Sequence, residues 1–231
     1  MTATHLSPHV EAPVRAVIFD MDGLLLDSET LAMDSLVSAG QALGYDIPYS
    51  FCRRMIGIPA DVCREMVFST YGRDFPLQQF FEVHEVHLRE LVDSGKLGLK
   101  AGVIELLDYL DRHRIPRAIA TSSSRVRTDH HLALVGLLQR FDHIVTRDDV
   151  SRGKPDPEPY LTAAAKLGVT PADCLALEDS YNGVRAAHAA AIRVIMVPDL
   201  LEPIEEMHEK ALHIVDDLHR VIAFLDEHIE A

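Results

Sequence analysis

Val14-Arg15-Ala16-Val17-Ile18-Phe19-Asp20-Met21-Asp22-Gly23 is the stretch on which the reading of this chain turns. A run that is apolar at nearly every position predicts a strand buried on both faces, the kind that parallel sheets contain. The run Val14–Phe19 stops at two carboxylates one residue apart, followed by a glycine. A buried strand that delivers acidic groups at its carboxyl end marks the edge of an open parallel sheet where ligands bind.

Four further runs share the character of the first: Arg117–Ala120, His143–Thr146, Cys174–Leu177 and Ile192–Val197. Helical spacing lies between most of them, over Val103–Arg114, Arg125–Val135, Pro157–Leu167 and Val184–Ala190, and a last helix is expected over about Asp216–His228. Strand and helix in alternation imply right-handed crossovers, hence an α/β fold with a mostly parallel sheet covered on both faces. From about Ser28 to Leu99 the rhythm breaks. Apolar residues there follow helical spacing (Leu31, Leu36; Val83, Val86, Leu91) and no buried strand is evident. The expected organisation is a discontinuous core of residues 1–27 and 100–231 with an all-helical cap domain, 28–99, inserted after the first strand.

The chain has 231 residues, with 22 Lys and Arg against 36 Asp and Glu for a formal charge of −14. That balance disfavours nucleic acid as a partner, because no basic block is present to neutralise phosphates. Residues 199–231 carry ten acidic and two basic side chains, a pattern that reads first as a solvated acidic face. Cys52, Cys63 and Cys174 form no Cys-x-x-Cys pair, which favours reduced thiols used for packing. The N-terminal segment lacks the basic and apolar regions of a signal peptide, and no apolar run approaches the roughly 20 residues that cross a bilayer. A cytoplasmic monomer without a membrane partner is the expectation.

At the carboxyl ends of the expected strands stand Asp20-Met21-Asp22-Gly23, Thr121-Ser122-Ser123-Ser124, Gly153-Lys154-Pro155-Asp156-Pro157 and Glu178-Asp179-Ser180. Carboxylates gathered in this way repel one another, and an oxygen-rich site of this kind suits Mg²⁺. Phosphate monoesters react slowly in water, so their cleavage needs charge neutralisation and an aligned nucleophile. A carboxylate such as Asp20 can attack phosphorus, and Asp22 can protonate the leaving oxygen and later activate water. Thr121 and the groups after it, Ser122 and Ser123, can bind phosphoryl oxygens, and Lys154 supplies a compact positive charge to the same group. Asp179, with Glu178 beside it, would complete the metal shell. Ser123 or Ser124 is the expected cap of the following helix, and Arg125 on its first turn is a candidate for contact with substrate.

These four segments stand in the order of the four motifs of the haloacid dehalogenase superfamily, and the chain resembles its phosphatase and phosphomutase branch from about Val14 to Val197. The resemblance implies a Rossmann-like core, Mg²⁺, Asp20 as nucleophile and Asp22 as general acid and base. It also implies that Asp22 meets the metal through its backbone carbonyl.

Asp22 argues against the dehalogenases of the superfamily, which lack that carboxylate. The chain also resembles β-phosphoglucomutases in its core, but Ala32 and Ala60 stand where that family has a linker His and a cap Arg. The opening Asp-Met-Asp-Gly-Leu-Leu-Leu-Asp-Ser-Glu is similar to phosphatases of sugar phosphates and of pseudouridine 5′-phosphate. Hydrolysis of a small phosphomonoester is therefore the favoured expectation, with a sugar phosphomutase as the alternative. A binding protein that merely retains the fold would need neither Asp22 nor a metal site. His84 and His87, three residues apart, are expected to serve the cap's core or surface, and Arg53 and Arg54 to be solvated charges. No Gly-x-x-x-x-Gly-Lys-Ser/Thr or Gly-x-Ser-x-Gly motif is present.

Overall fold

Strands β1 (Ala16–Phe19), β2 (Arg117–Ala120), β3 (His143–Val145), β4 (Cys174–Glu178), β5 (Arg193–Met196) and β6 (His213–Ile214) form one sheet. The computed structural model describes residues 13–55 and 60–229. The strand order is β3-β2-β1-β4-β5-β6, and every neighbouring pair is parallel. The chain runs outward on one side of β1 through β2 and β3, then crosses to the other side with β4. The two loops leaving β1 and β4 thus part to opposite faces, opening a crevice at their carboxyl ends.

Side chains of a strand alternate between faces, and β1 shows both faces to be apolar. Val17 and Phe19 join one core with Ile119, Leu177, Leu106 and Leu110, whereas Ala16 and Ile18 join a second with Ala118, Ala176, Tyr160 and Ala163. The first face is covered by α5 (Val103–His113), α6 (Arg125–Leu134) and α10 (Leu218–His228), the second by α7 (Glu158–Leu167), α8 (Tyr181–Ala189) and α9 (Glu205–Lys210). The expected strands and helices are thus present, with ends displaced by a few residues. Helix α8 begins at Tyr181 rather than Val184, because the Ser180 hydroxyl accepts from the Gly183 amide and caps the extra turn.

Between β1 and α5 the chain forms α1 (Glu29–Ala42), α2 (Tyr49–Arg53), α3 (Ala60–Tyr71) and α4 (Leu77–Leu91). These helices surround an apolar cluster of their own, in which Met33, Ile47, Phe51, Val67, Phe75 and Phe80 are buried. The chain leaves the core and returns to it along paired segments. Asp27 N donates to Gly98 O at 3.0 Å and Lys100 N to Leu25 O at 3.0 Å. The cap is therefore joined to the core through a narrow two-stranded neck.

Strand β6 was not expected. It has two residues, one exposed and one half-buried, so it lacks the continuous apolar signature of the other strands. The acidic C-terminal stretch is also more engaged than a solvated face. Asp199 pairs with Lys100 at 2.6 Å, Asp217 caps α10, and Asp226 accepts from the Tyr109 hydroxyl at 2.8 Å. Cys52 and Cys174 are buried as packing residues, and Cys63 is half-buried.

Candidate active site

The polar residues at the strand ends are held by the sheet itself. Asp20 N donates to Leu177 O at 3.0 Å, Thr121 N to Val145 O at 2.9 Å, and Val197 N to Glu178 O at 2.7 Å. The ladder thus continues one residue past the apolar runs, and this fixes the backbone from which Asp20 and Thr121 project. Asp20, Thr121, Glu178 and Asp179 are all buried.

Carboxylate oxygens of Asp20, Glu178 and Asp179 lie within 4.8 Å of one another. The Lys154 ammonium reaches into this group, 2.5 Å from Asp20 Oδ1 and in contact with Glu178 Oε1. Glu178 also accepts from the Tyr160 hydroxyl at 2.6 Å and from Ser180 Oγ at 3.1 Å. Burial pushes the Asp20 carboxyl up to about 8, against the pull of Lys154 and with the repulsion of Glu178. Burial, then Asp20 and Glu178, likewise raises Asp179. The Lys154 ammonium is held protonated above its ordinary range, because its two carboxylate partners outweigh its own burial. One ammonium does not neutralise three carboxylates. Three buried acidic oxygens at this spacing fit a hard divalent cation, and Asp20, Glu178 and Asp179 could hold one.

Two glycines make room for this cluster. A Cβ on Gly23, whose φ is +82°, would fall 2.3 Å from Asp179 Oδ2. A Cβ on Gly183 in α8 would fall 1.8 Å from the Glu178 carboxylate.

Asp22 stands outside the trio. Its Oδ1 accepts from Ser28 Oγ at 2.7 Å, its Oδ2 accepts from Ser123 Oγ at 2.7 Å, and Arg127 Nη2 lies 3.6 Å from Oδ1. Burial would raise this carboxyl, but Arg127, the two hydroxyls and His131 together hold it below its ordinary value. The Thr121 hydroxyl accepts from the Ser123 amide at 3.0 Å, and Ser124 Oγ accepts from the Arg127 amide as the cap of α6. Ser122 and Ser123 face a chamber of about 710 Å³ between α4 and α6, lined also by Leu88, Arg127, His130 and His131. A larger groove of about 1200 Å³ lies among Phe68, Phe75 and Phe81 of the cap and touches none of the motif residues.

Arg125 points elsewhere. Its Nη2 donates to Ile144 O at 2.8 Å and to Asp149 Oδ2 at 2.7 Å, and its amide donates to Asp148. The structure brings Arg127, not Arg125, to Asp22. Arg127, Ser28 and Tyr160 stand outside the four motif segments, and no local pattern in the sequence points to them. His84 belongs to the cap's interior, its Nδ1 2.7 Å from Ser35 Oγ. Arg53 donates to Leu200 O at 3.1 Å, while the Arg54 guanidinium lies 5.2 Å from the centre of the Phe51 ring. Residues 56–59 lie outside the described residues, as does the side chain of Ala60.

Residues 17–197 match the family described as haloacid dehalogenase-like hydrolase. The chain is similar to the phosphorylated carbohydrates phosphatase of Thermotoga maritima, 35% identical over 183 residues that cover 79% of this chain and 84% of that one. It is also similar to hexitol phosphatase B of Escherichia coli, 34% identical over 192 residues, 80% of this chain and 84% of that one. Among solved structures, CbbY from Rhodobacter sphaeroides in complex with phosphate shares the fold with a TM-score of 0.77 and 27% identity, over 92% of this chain and 99% of that one. No helix among the described residues is long and apolar enough to cross a membrane.

Proposed function

Because the chain belongs to the haloacid dehalogenase-like hydrolases, matched from residue 17 to residue 197, we propose that it hydrolyses a small phosphomonoester of the sugar-phosphate kind, with Mg²⁺, through an aspartyl-phosphate on Asp20. The observation that carries this reading is the placement of buried Asp20 beside Lys154, Glu178 and Asp179 at the crevice between β1 and β4. The similarity to a phosphorylated carbohydrates phosphatase and to a hexitol phosphatase supports the substrate class.

In the first half-reaction a carboxylate oxygen of Asp20 forms a bond to phosphorus as the ester P–O bond breaks. Lys154, with the hydroxyl and amides that follow β2, faces the charge on the phosphoryl oxygens. The leaving oxygen takes its proton from Asp22. In the second, Asp22 accepts a proton from water, the resulting hydroxide attacks phosphorus, and the Asp20–phosphorus bond breaks to return the carboxylate. Mg²⁺ held by Asp20, Glu178 and Asp179, with the Asp22 carbonyl as the family resemblance implies, would supply charge neutralisation for the phosphoryl group. The cap closes the chamber against bulk water during transfer and opens for product release.

The test is release of inorganic phosphate from hexose, pentose, nucleoside and glycolate phosphates, with and without Mg²⁺, by wild type and Asp20→Asn. Mg²⁺-dependent release that vanishes in the variant is expected. Interconversion of glucose 1-phosphate and glucose 6-phosphate with little free phosphate would replace this reading with a mutase.

A further inference from the structure

Arg127 is the arginine of the chamber wall closest to the chemistry, and its guanidinium makes no hydrogen bond to any described residue. Its Nε is buried without a partner, its nearest carboxylate oxygen is Asp22 Oδ1 at 3.6 Å, and Glu29 feels its charge from farther away. The oxygen it faces there, Oδ1, is already engaged by Ser28. Arg125, two residues earlier, shows the contrast: its guanidinium is tied to the Ile144 carbonyl, to Asp149 after β3 and to Asp129 of its own helix. Beside Arg127, His131 is 4% exposed, lines the same chamber, and has an Nδ1 without a partner. Buried donors of this strength are normally satisfied, and a guanidinium left open at a chamber wall marks a place for something that arrives.

We propose that Arg127 reads the leaving group of the substrate, and that this leaving group carries a second anionic group, a carboxylate or a further phosphate, received by the guanidinium. The inference rests on the phosphomonoester reading above. The chamber begins at Ser122 and Ser123, next to the hydroxyl and carboxylate that act on the ester, and its volume of about 710 Å³ accommodates a sugar-sized group. The planar fork of arginine matches both carboxylate and phosphate and gains most where water is excluded. Of the acidic residues on the chamber wall, Asp93 lies 3.0 Å from His130 Nε2, and Glu85 stands exposed on the cap. With a formal charge of −14, the protein's overall field does not attract an anion, so a local cation must retain one.

The test uses two matched pairs with Mg²⁺: glycerol 3-phosphate against 3-phosphoglycerate, and fructose 1-phosphate against fructose 1,6-bisphosphate. Each is assayed by phosphate release with wild type, Arg127→Lys and Arg127→Gln. Wild type is expected to favour the anionic member of one pair by about tenfold or more in kcat/KM, and which pair distinguishes carboxylate from phosphate. Arg127→Gln should lower that ratio by about tenfold, chiefly through KM, with Arg127→Lys between the two. A wild type that favours neither anionic member overturns the inference without any variant. So does an equal loss on both members of a pair, which would mean that Arg127 acts through Asp22 or Glu29. If none of the four esters gives Mg²⁺-dependent phosphate that is lost in Asp20→Asn, the phosphatase reading fails first and the inference with it.

Discussion

Ser28, the residue immediately before the first cap helix, donates its hydroxyl to Asp22 Oδ1 at 2.7 Å. The hydrogen bond ties the neck of the cap to the carboxylate assigned to proton transfer. Burial raises the Asp22 carboxyl, but Arg127 first, then Ser28 and Ser123, outweigh it and hold the pKa below its ordinary value. An ionised carboxylate has no proton to give, so cleavage of an alkyl phosphate slows as pH rises through the Asp22 pKa.

Ser28→Ala removes one donor from the ionised form and should raise that pKa. The alkaline limb of the pH profile for an alkyl phosphate is then expected to move to higher pH. With p-nitrophenyl phosphate, whose leaving group needs no proton, this limb should not move. Parallel profiles for the two substrates check this, and an unmoved limb for both would show that Ser28 does not set Asp22.

The carboxylate trio predicts a metal effect on stability. A cation bound to the native state at about a hundred times its Kd contributes about 3 kcal/mol, which for a chain of this size raises the thermal midpoint by about 5–10 °C. Asp179→Asn should abolish most of that rise. Because Asp20 is pushed up to about 8 by burial, and Asp179 is also raised, protons compete with the cation at neutral pH. Apparent Mg²⁺ affinity, followed by calorimetric titration, should therefore strengthen as pH rises through about 8.

His84 predicts an acid sensitivity of the cap. Burial lowers its pKa from 6.5 to about 4, with Arg127 and His87 adding to the effect against Glu85. The unfolded chain takes up this proton near pH 6.5 while the folded chain resists it until about 4, so stability falls as pH drops across that window. The contribution reaches ~3 kcal/mol at most. Denaturant unfolding from pH 7 to pH 4 should show a shallower fall in His84→Gln than in wild type, and equal slopes would remove His84 from the account.

Gly183→Ala separates helix propensity from packing. Alanine in a helix interior is ordinarily favoured over glycine by about 1 kcal/mol. Here its Cβ would stand 1.8 Å from a Glu178 carboxylate that Lys154, Tyr160 and Ser180 hold in place. The thermal midpoint is therefore expected to fall, and Mg²⁺ affinity with it. A stabilised variant would mean that Glu178 moves freely.

Much of this site is legible without coordinates because strand ends are legible. Runs such as Val14–Phe19 and Cys174–Leu177 end where polar residues begin, and a parallel sheet brings such ends to one edge. Glu178 itself proved to be the last residue of β4, so the polar boundary lies inside the strand. Arg125 and Arg127 show where this kind of reading stops. Two residues on a helix are about 200° apart around its axis, so one of the pair must face away when the other faces the chamber. Which one does so is set by the phase at which Ser124 caps α6 and by the carboxylates of the β3 loop that capture Arg125. The cap is local, but Asp148 and Asp149 stand 23 and 24 residues away along the chain.

The order of the elements, the sheet class and the four segments that meet at its edge follow from the chain alone, because continuous apolar runs and their polar boundaries are local properties. The neighbours of each side chain came from folding. It put Tyr160 under Glu178, Ser28 on Asp22, and Arg127 at the chamber wall with its donors open. Those contacts arise from packing across helices and loops, where rotation about a helix axis or the phase of a cap moves a side chain by several ångströms without altering the pattern that made the helix form.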